Sequence, residues 1–424
     1  MELPETIIYV TRDAERANAI EQSEKYVIVT NEKGSMLDTY ELLQTEHVEK
    51  LMGERKDSAI LVFQNTLRIE RFCREKSWKL LNPSAELSKK IEEKISQYEW
   101  LGDLQKFLPK TEIKKVSEIN FIGKKLVVQF NHAHTGGGTH IISDNKKLSE
   151  LKNKFPDRPA RVSEFVDGPV FTLNTVVAEN GIFFGNISYQ ITGLPDFTDN
   201  PFSTIGNDWK LPQTILSEKE RERIFEIAEK VGEKMKKENW LGLFGIDVIL
   251  NQKSQEIFLL EINARQPAST TCENILQKSS GKDMTTFEAH ISALLGEKVS
   301  DIQKISDGAQ IILRVKKAKK EQNGFLRNAS ALTHKKISGY FGARKSERSA
   351  QATKYPEIFC AAGSVLENHS APSLLSKAGF SVISYNNVKH NSDLLRIRSK
   401  KGIMESHNKL NSTGKEISSI IYKS

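Results

Sequence analysis

The sequence predicts a multidomain protein of mixed α/β and α+β class. It reads as an N-terminal parallel α/β domain, a central region of strands and helices, and a small basic β-rich C-terminal domain. Three observations predict this. At 424 residues the chain exceeds one typical domain. Short β-rich runs alternate with helical stretches over the first hundred residues, the pattern of a parallel sheet covered by helices. Charge shifts sharply near residue 300: residues 1–300 hold 40 Lys and Arg against 45 Asp and Glu, a net of −5, and residues 301–424 hold 22 against 9, a net of +13.

Composition bounds the class further. With 38% hydrophobic and 27% charged residues, the chain can bury a large core. No run reaches the roughly 18 apolar residues of a membrane helix, so no membrane partner is expected. The opening MELPETIIYVTRDAE has no basic stretch followed by a long apolar one, so no secretory signal is expected. Three dispersed cysteines, Cys73, Cys272 and Cys360, exclude a disulfide scaffold and a CxxC zinc site and fit a reducing cytoplasm.

The elements follow in order. Strand-length runs occur at 6–10, 26–29 and 60–63, with helices expected from Thr39 to Met52 and from Thr66 to Lys76. No GxGxxG follows the first strand, so a dinucleotide fingerprint is absent. Asn82-Pro83-Ser84 opens a long polar helix ending near Phe107, closed by Pro109. From Leu126 the pattern is strand, glycine-rich loop, strand: LVVQF, NHAHTGGGTH, II. ARVSEFVDG follows, then strands around Asn180-Gly181, a hairpin signal. Ser217 with Glu220 three residues on is a capping box for a helix to Glu238. LFGIDVIL and EIFLLEINA are strands separated by NQKSQ, and Thr285 to Leu295 is helical. Beyond residue 300 the clear strand is AQIILRV.

Chemistry concentrates in three places. Residues two apart on a strand share a face, so Glu261, Asn263 and Arg265 project together, and pairing across NQKSQ brings Asp247 near them. Two carboxylates and an amide oxygen suit Mg²⁺ bridging nucleotide phosphates, and Arg265 suits a phosphoryl or carboxylate group. A solvated strand face with a surface ion pair gives the same pattern. Next, Gly136, Gly137 and Gly138 let backbone N–H groups approach a phosphate, as a mobile closing loop does; a plain hairpin tip is the alternative. His132, His134 and His140 there lack the cysteine or carboxylate partner of a usual zinc site. Last, SEFVDG is an ordinary strand and turn that also offers a nucleobase an apolar slot with backbone hydrogen-bonding groups.

In this order and spacing, the segments resemble the ATP-grasp superfamily over about residues 1–298. The most specific match is GIDVIL…LLEINARQPAS, with 14 residues from Asp247 to Glu261. The resemblance implies a two-subdomain ATP-grasp fold at 109–298, with a smaller lid at about 115–168 and a larger part at about 169–298. An N-terminal domain would occupy 1–108 and a basic accessory domain 299–424. It implies that Asp247, Glu261 and Asn263 hold Mg²⁺, with Mn²⁺ as an alternative, and that Arg265 contacts the reacting phosphate. It implies that Lys94 and Gln129 bind ATP, that Gly136, Gly137 and Gly138 cover the triphosphate, and that Glu164, Phe165 and Val166 form the adenine hinge. Gln129 stands where the family usually has lysine, with Lys124 and Lys125 as nearby charges, and Val170 and Phe171 stand near the family's ribose-binding glutamate. QPAST is unlike the corresponding segment of biotin carboxylases.

The expectation is therefore an ATP- and Mg²⁺-dependent cytoplasmic ligase joining a small-molecule carboxylate to an amine. A homodimer is compatible with it, and a nucleic-acid partner is not expected. The rival readings are a nucleotide-binding protein without ligase activity and a nucleic-acid-binding protein acting through the basic C-terminal part. Lys316, Lys317, Lys319 and Lys320 form the densest positive cluster, suited either to drawing in anionic substrates or to a solvated surface.

Overall fold

The computed structural model describes residues 9–11, 27–29, 37–54, 58–131, 138–316, 371–384 and 391–422. Four short strands, β1 (Tyr9–Thr11), β2 (Val27–Val29), β3 (Ala59–Ile60) and β4 (Lys79–Leu80), make two parallel pairs, β1–β2 and β3–β4. The helix expected from Thr39 to Met52 is two helices, Thr39–Leu43 and Glu46–Glu54. They part at Thr45, whose hydroxyl donates back to the Leu42 carbonyl. Val48, Ile69, Phe72 and Cys73 are the centre of a small core here.

The long helix expected from Ser84 to Phe107 is also broken. Ala85–Glu92 and Lys94–Leu101 are separate helices, with Glu93 in extended backbone between them (φ −70°, ψ 135°), and Gly102–Phe107 is a 3₁₀ turn. In an unbroken helix the Ile95 N–H would bond the Ile91 carbonyl. Here the Ile95 N–H donates to Asn131 Oδ1 at 2.9 Å, and the Ile91 carbonyl accepts from Gln97 Nε2 at 2.7 Å. Two side chains thus satisfy the groups that the break orphans. Trp100 Nε1 and Lys90 Nζ both donate to the carboxylate of Glu238, at 2.6 and 3.0 Å, which fixes this helical unit against the large sheet's covering helix.

Strands β5 (Thr111–Lys115), β6 (Leu126–Gln129), β7 (Thr139–Ile142) and β8 (Pro159–Glu164) form an antiparallel sheet in the order β5-β8-β6-β7. Val128, Ile142 and Val162 pack with Leu148 and Leu151 of the helix Asn145–Lys154. The larger sheet has nine strands: β9 (Val170–Ala178), β10 (Gly181–Phe184), β11 (Ser188–Thr192), β12 (Thr204–Asp208), β13 (Gly242–Leu250), β14 (Ile257–Asn263), β15 (Ala309–Arg314), β16 (Ser381–Ser384) and β17 (Asp393–Ser399). Its order is β14-β13-β9-β11-β12-β15-β17-β16, with β10 on β9. The β9–β10 hairpin pairs Ala178 with Gly181, so Glu179 and Asn180 make the turn. The helix Glu218–Lys237 begins on the expected Ser217–Glu220 capping box and buries Ile224, Ile227 and Val231 against this sheet.

The C-terminal strands extend the nine-stranded sheet through β12–β15 and β15–β17. A hairpin, β18 (Met404–Ser406) with β19 (Lys409–Leu410), follows, then the helix Ser412–Tyr422. Asp208 locks them on: its fully buried carboxylate accepts the N–H groups of Lys210, Leu211, Ile403 and Met404 at 2.6–2.9 Å. Lys316 is a structural tie, with Nζ bonding the Pro195 and Asp196 carbonyls and lying 4.8 Å over the Tyr422 ring. Lys317, Lys319 and Lys320 lie outside the described residues. Among the described residues no helix is long and apolar enough to cross a membrane.

Candidate active site

Strands β13 and β14 pair as the motif spacing requires. Asp247 lies opposite Glu261, and Gly245 opposite Asn263, with a bulge after Asp247 that leaves Leu260 without a partner in the register. Asp247, Glu261 and Asn263 therefore share one face. Asp247 Oδ1 accepts from Thr172 Oγ1 at 2.7 Å, and its Oδ2 from Asn263 Nδ2 at 3.2 Å. Arg265 donates to Asn263 Oδ1 at 2.9 Å. Lys94 comes from the helix start after the break and meets Glu261 Oε1 at 2.8 Å. Five of the sequence-predicted residues, Lys94 among them, thus gather in one cluster. Among the described residues no group of three or more His, Cys, Asp or Glu side chains is placed to hold a metal.

The electrostatics distinguish the two buried carboxylates. Burial, and then the charge of Glu261, pushes Asp247 up to about 6. Burial acts on Glu261 in the same direction, but Lys94, with Arg161 and Arg265, outweighs it and holds Glu261 below the usual carboxylate range. The two carboxylates are hard oxygen ligands, and the repulsion from Glu261 that adds to burial in lifting Asp247 is what a divalent cation relieves; the Asn263 amide beside them gives its Nδ2 to Asp247 and its Oδ1 to Arg265, an oxygen that a cation would compete for. The donor set therefore fits Mg²⁺.

Sequence reasoning missed Glu92 and Arg161. Glu92 ends the first half of the broken helix and pairs with Arg265, while burial raises its pKa against the pull of that guanidinium. Arg161, on β8 opposite Gln129, donates to Gln129 Oε1, Gln97 Oε1 and the Leu260 carbonyl. Glu92 sits inside a polar helix, where a carboxylate carries no signal. Arg161 carried none either: it alternates with Ala160 and Val162, which face the smaller sheet's core, so in the sequence it reads as an outward strand residue.

The remaining predicted residues lie on the smaller sheet and its joints. Gln129 ends β6, and Gly138 is buried with its carbonyl accepting the Phe130 N–H at 3.1 Å. Gly136 and Gly137 lie outside the described residues, as do His132 and His134. Glu164 ends β8 and donates its N–H to the Lys110 carbonyl, and Phe165 donates to the Lys125 carbonyl. Val166 follows, and the segment turns at Gly168, where a Cβ would stand 1.9 Å from the Leu250 carbonyl oxygen. Lys124 and Lys125 precede β6 at the end opposite Gln129.

The Asp247 face continues across the large sheet. Register pairs carry it from Asp247 to Thr172 and Ser188, and from Gln190 to Asn207, Gln310 and Arg398, with Arg396 two residues from Arg398. The helix Thr270–Ser280, which follows Arg265, lies against this face. Its Glu273 accepts from Asn174 Nδ2 and the Asn186 N–H, each at 2.6 Å. Its Cys272 thiol is pushed up to about 12 by burial, against the nearby charges of Arg398 and Arg396.

The family comparison falls on this geometry. The sequence profile of the ATP-grasp domain matches residues 91–269, a span that contains Lys94, Gln129, the glycine run, the hinge, Asp247, Glu261, Asn263 and Arg265. The chain carries an ATP-grasp domain. No curated protein matches the sequence significantly. Among solved structures, N5-carboxyaminoimidazole synthase from Aspergillus clavatus, in complex with ADP and 5-aminoimidazole ribonucleotide, is similar at 13% identity and TM-score 0.62 over 99% of both chains. N5-carboxyaminoimidazole synthetase from Staphylococcus aureus, complexed with ADP, is similar at 10% identity and TM-score 0.59, over 98% of this chain and 97% of that one. N5-carboxyaminoimidazole ribonucleotide synthetase from Thermus thermophilus is similar at 12% identity and TM-score 0.53, over 93% and 87%. At these identities the likeness is one of fold, and it extends past the ATP-grasp domain to nearly the whole chain.

Proposed function

We propose that the protein is an ATP-dependent ligase that activates a carboxylate as an acyl phosphate and joins it to an amine, with Mg²⁺ held by Asp247, Glu261 and Asn263. The observation that carries this reading is the Asp247–Glu261 pair, on one strand face with Asn263 and beside Lys94 and Arg265, inside an ATP-grasp domain. Bound there, Mg²⁺ would neutralise charge on the phosphate oxygens during transfer.

The chain's own residues have the following parts. A substrate carboxylate oxygen attacks the γ-phosphorus, the bond to the β–γ bridging oxygen breaks, and ADP leaves. The amine nitrogen then attacks the acyl carbon, and phosphate leaves. Lys94 and Arg265 flank the carboxylates and supply cations to the transferring group; Glu92 and Asn263 aim the Arg265 guanidinium. Gly136, Gly137 and Gly138 would cover the phosphates and exclude water from the acyl phosphate. Of the hinge residues, Glu164 and Phe165 already spend their N–H groups on Lys110 and Lys125, so a backbone donor to the base falls to Val166.

The similar proteins above are named for nucleotide and aminoimidazole ligands, and an anionic substrate suits the face ending at Arg396 and Arg398. We divide the chain as an N-terminal domain at 1–108, the ATP-grasp domain at 109–298 and a basic part at 299–424. A reducing cytoplasm suits Cys73 and Cys272, both buried thiols. The test is a screen of small carboxylates, bicarbonate included, paired with amines, reading ADP and phosphate release. Release that requires one carboxylate and one amine together supports the ligase. ATP binding with no substrate-dependent release across the screen would favour a nucleotide-binding protein without ligase activity.

A further inference from the structure

Three cations surround the Asp247–Glu261 pair. Lys94 touches Glu261, and Arg265 touches Glu92. Arg161 makes no ion pair among the described residues. It is 5% exposed and, among the described residues, donates only to neutral acceptors: from Nε and NH2 to Gln129 Oε1 at 3.1 and 2.6 Å, from NH1 to Gln97 Oε1 at 3.0 Å, and from NH2 to the Leu260 carbonyl at 2.9 Å. Burying a guanidinium without a carboxylate in contact is costly. Burial pulls its pKa down to about 10, against the charge of Glu261. These bonds engage four of its five N–H groups and leave one, on NH1.

Its place in the fold gives that charge a use. Gln129 is the last residue of β6, the strand that runs into the glycine segment, and Arg161 is its register partner on β8. Glycine amides can cradle a polyphosphate but bring no net charge. Gln129 brings none either, and its amide is committed: Oε1 accepts from Arg161, and Nε2 donates to Thr139 Oγ1 at 3.3 Å. Gln97 and the bulged Leu260 carbonyl hold the guanidinium from the other side, linking the smaller sheet to the larger.

We infer that Arg161 supplies the positive charge that meets the nucleotide polyphosphate at the stem of the glycine loop, and that Gln129 is the residue that positions it. The inference rests on the ATP-binding reading above and adds a residue that the motif does not contain.

The test is calorimetric titration of Mg·ATP, with AMP in parallel, into the unaltered protein, Arg161→Gln, the double variant Arg161→Gln/Gln129→Lys, and Gln129→Glu. Arg161→Gln should weaken Mg·ATP binding on the order of ten- to a hundredfold and leave AMP binding within about twofold. The double variant, which moves the charge one strand over, should recover most of the ATP affinity. Gln129→Glu gives the guanidinium a carboxylate, so it should melt no lower than the unaltered protein while losing ATP affinity. Unchanged ATP affinity in Gln129→Glu overturns the inference even if Arg161→Gln does not fold. A purely structural Arg161 predicts equal or higher stability for Gln129→Glu with unchanged ATP affinity, and that result overturns the inference. Failure of the unaltered protein to bind Mg·ATP would overturn the functional reading itself. Binding that survives Arg161→Gln or Gln129→Glu would overturn only the inference.

Discussion

Asp247 and Glu261 sit in one register pair, yet only Glu261 has a lysine in contact. Removing the Glu261 charge strips the site of its more acidic carboxylate and leaves Lys94 without its partner. Glu261→Gln should abolish Mg·ATP turnover while the melting temperature stays within a few degrees; turnover equal to the unaltered protein would contradict the assignment. His290 gives a second prediction at this scale. Its neutral Nδ1 accepts the Leu243 N–H at 3.0 Å, and burial pushes its pKa down to about 4. The folded value lies below the unfolded value of about 6.5, so the unfolded chain takes up the proton first as pH falls. Stability present above about pH 6.5 is therefore lost between there and about pH 4, by up to ~3 kcal/mol. Urea midpoints at pH 7.5 and 5 should differ in the unaltered protein and converge in His290→Asn; an equal acid loss in both would place its source elsewhere.

The break at Glu93 is the element on which the site turns. It puts Glu92 and Lys94 on separate helices, so that one reaches Arg265 and the other Glu261. The sequence around it reads as one polar helix because nothing local interrupts it: no proline, no glycine. The side chain that stabilises the break is Asn131, 38 residues on, at the start of the glycine segment; it accepts from Ile95 N–H and donates to Glu93 Oε2 at 2.6 Å. Such long-range satisfaction leaves no local trace. By contrast, the capping box at Ser217 and the β13–β14 pairing were legible, because the first is fixed by residues three apart and the second by two strands joined through a short polar turn. Asn131→Ala should orphan the Ile95 N–H and cost about 1–2 kcal/mol of stability, read as a lower urea midpoint. An unchanged midpoint would mean that water replaces the amide and that the break does not depend on it.

Across the whole molecule, the nine-stranded sheet joins the ATP-grasp strands to the C-terminal ones. The AQIILRV strand was legible, but its neighbours were not: β12 precedes it by 100 residues and β17 follows it by almost as many, and β-pairing at that distance has no sequence signature. The arginines at the end of the Asp247 face were hidden for the same reason. Leu375, Leu395, Ile397, Ile417 and Ile421 are each at most 1% exposed in the shared core, worth ~2 kcal/mol apiece. A chain ending at residue 316 should therefore lose solubility or its cooperative melt. A soluble truncated chain with an unchanged melt would show that the C-terminal strands are an appendage.

The central claim is that the Asp247 face binds Mg·ATP. Calorimetric titration of ATP with and without Mg²⁺ into the unaltered protein and Asp247→Asn/Glu261→Gln tests it most directly. The account predicts saturable, Mg²⁺-dependent binding that the double variant loses while keeping its melting transition. Binding that is indifferent to Mg²⁺, or equally tight in the double variant, would contradict it.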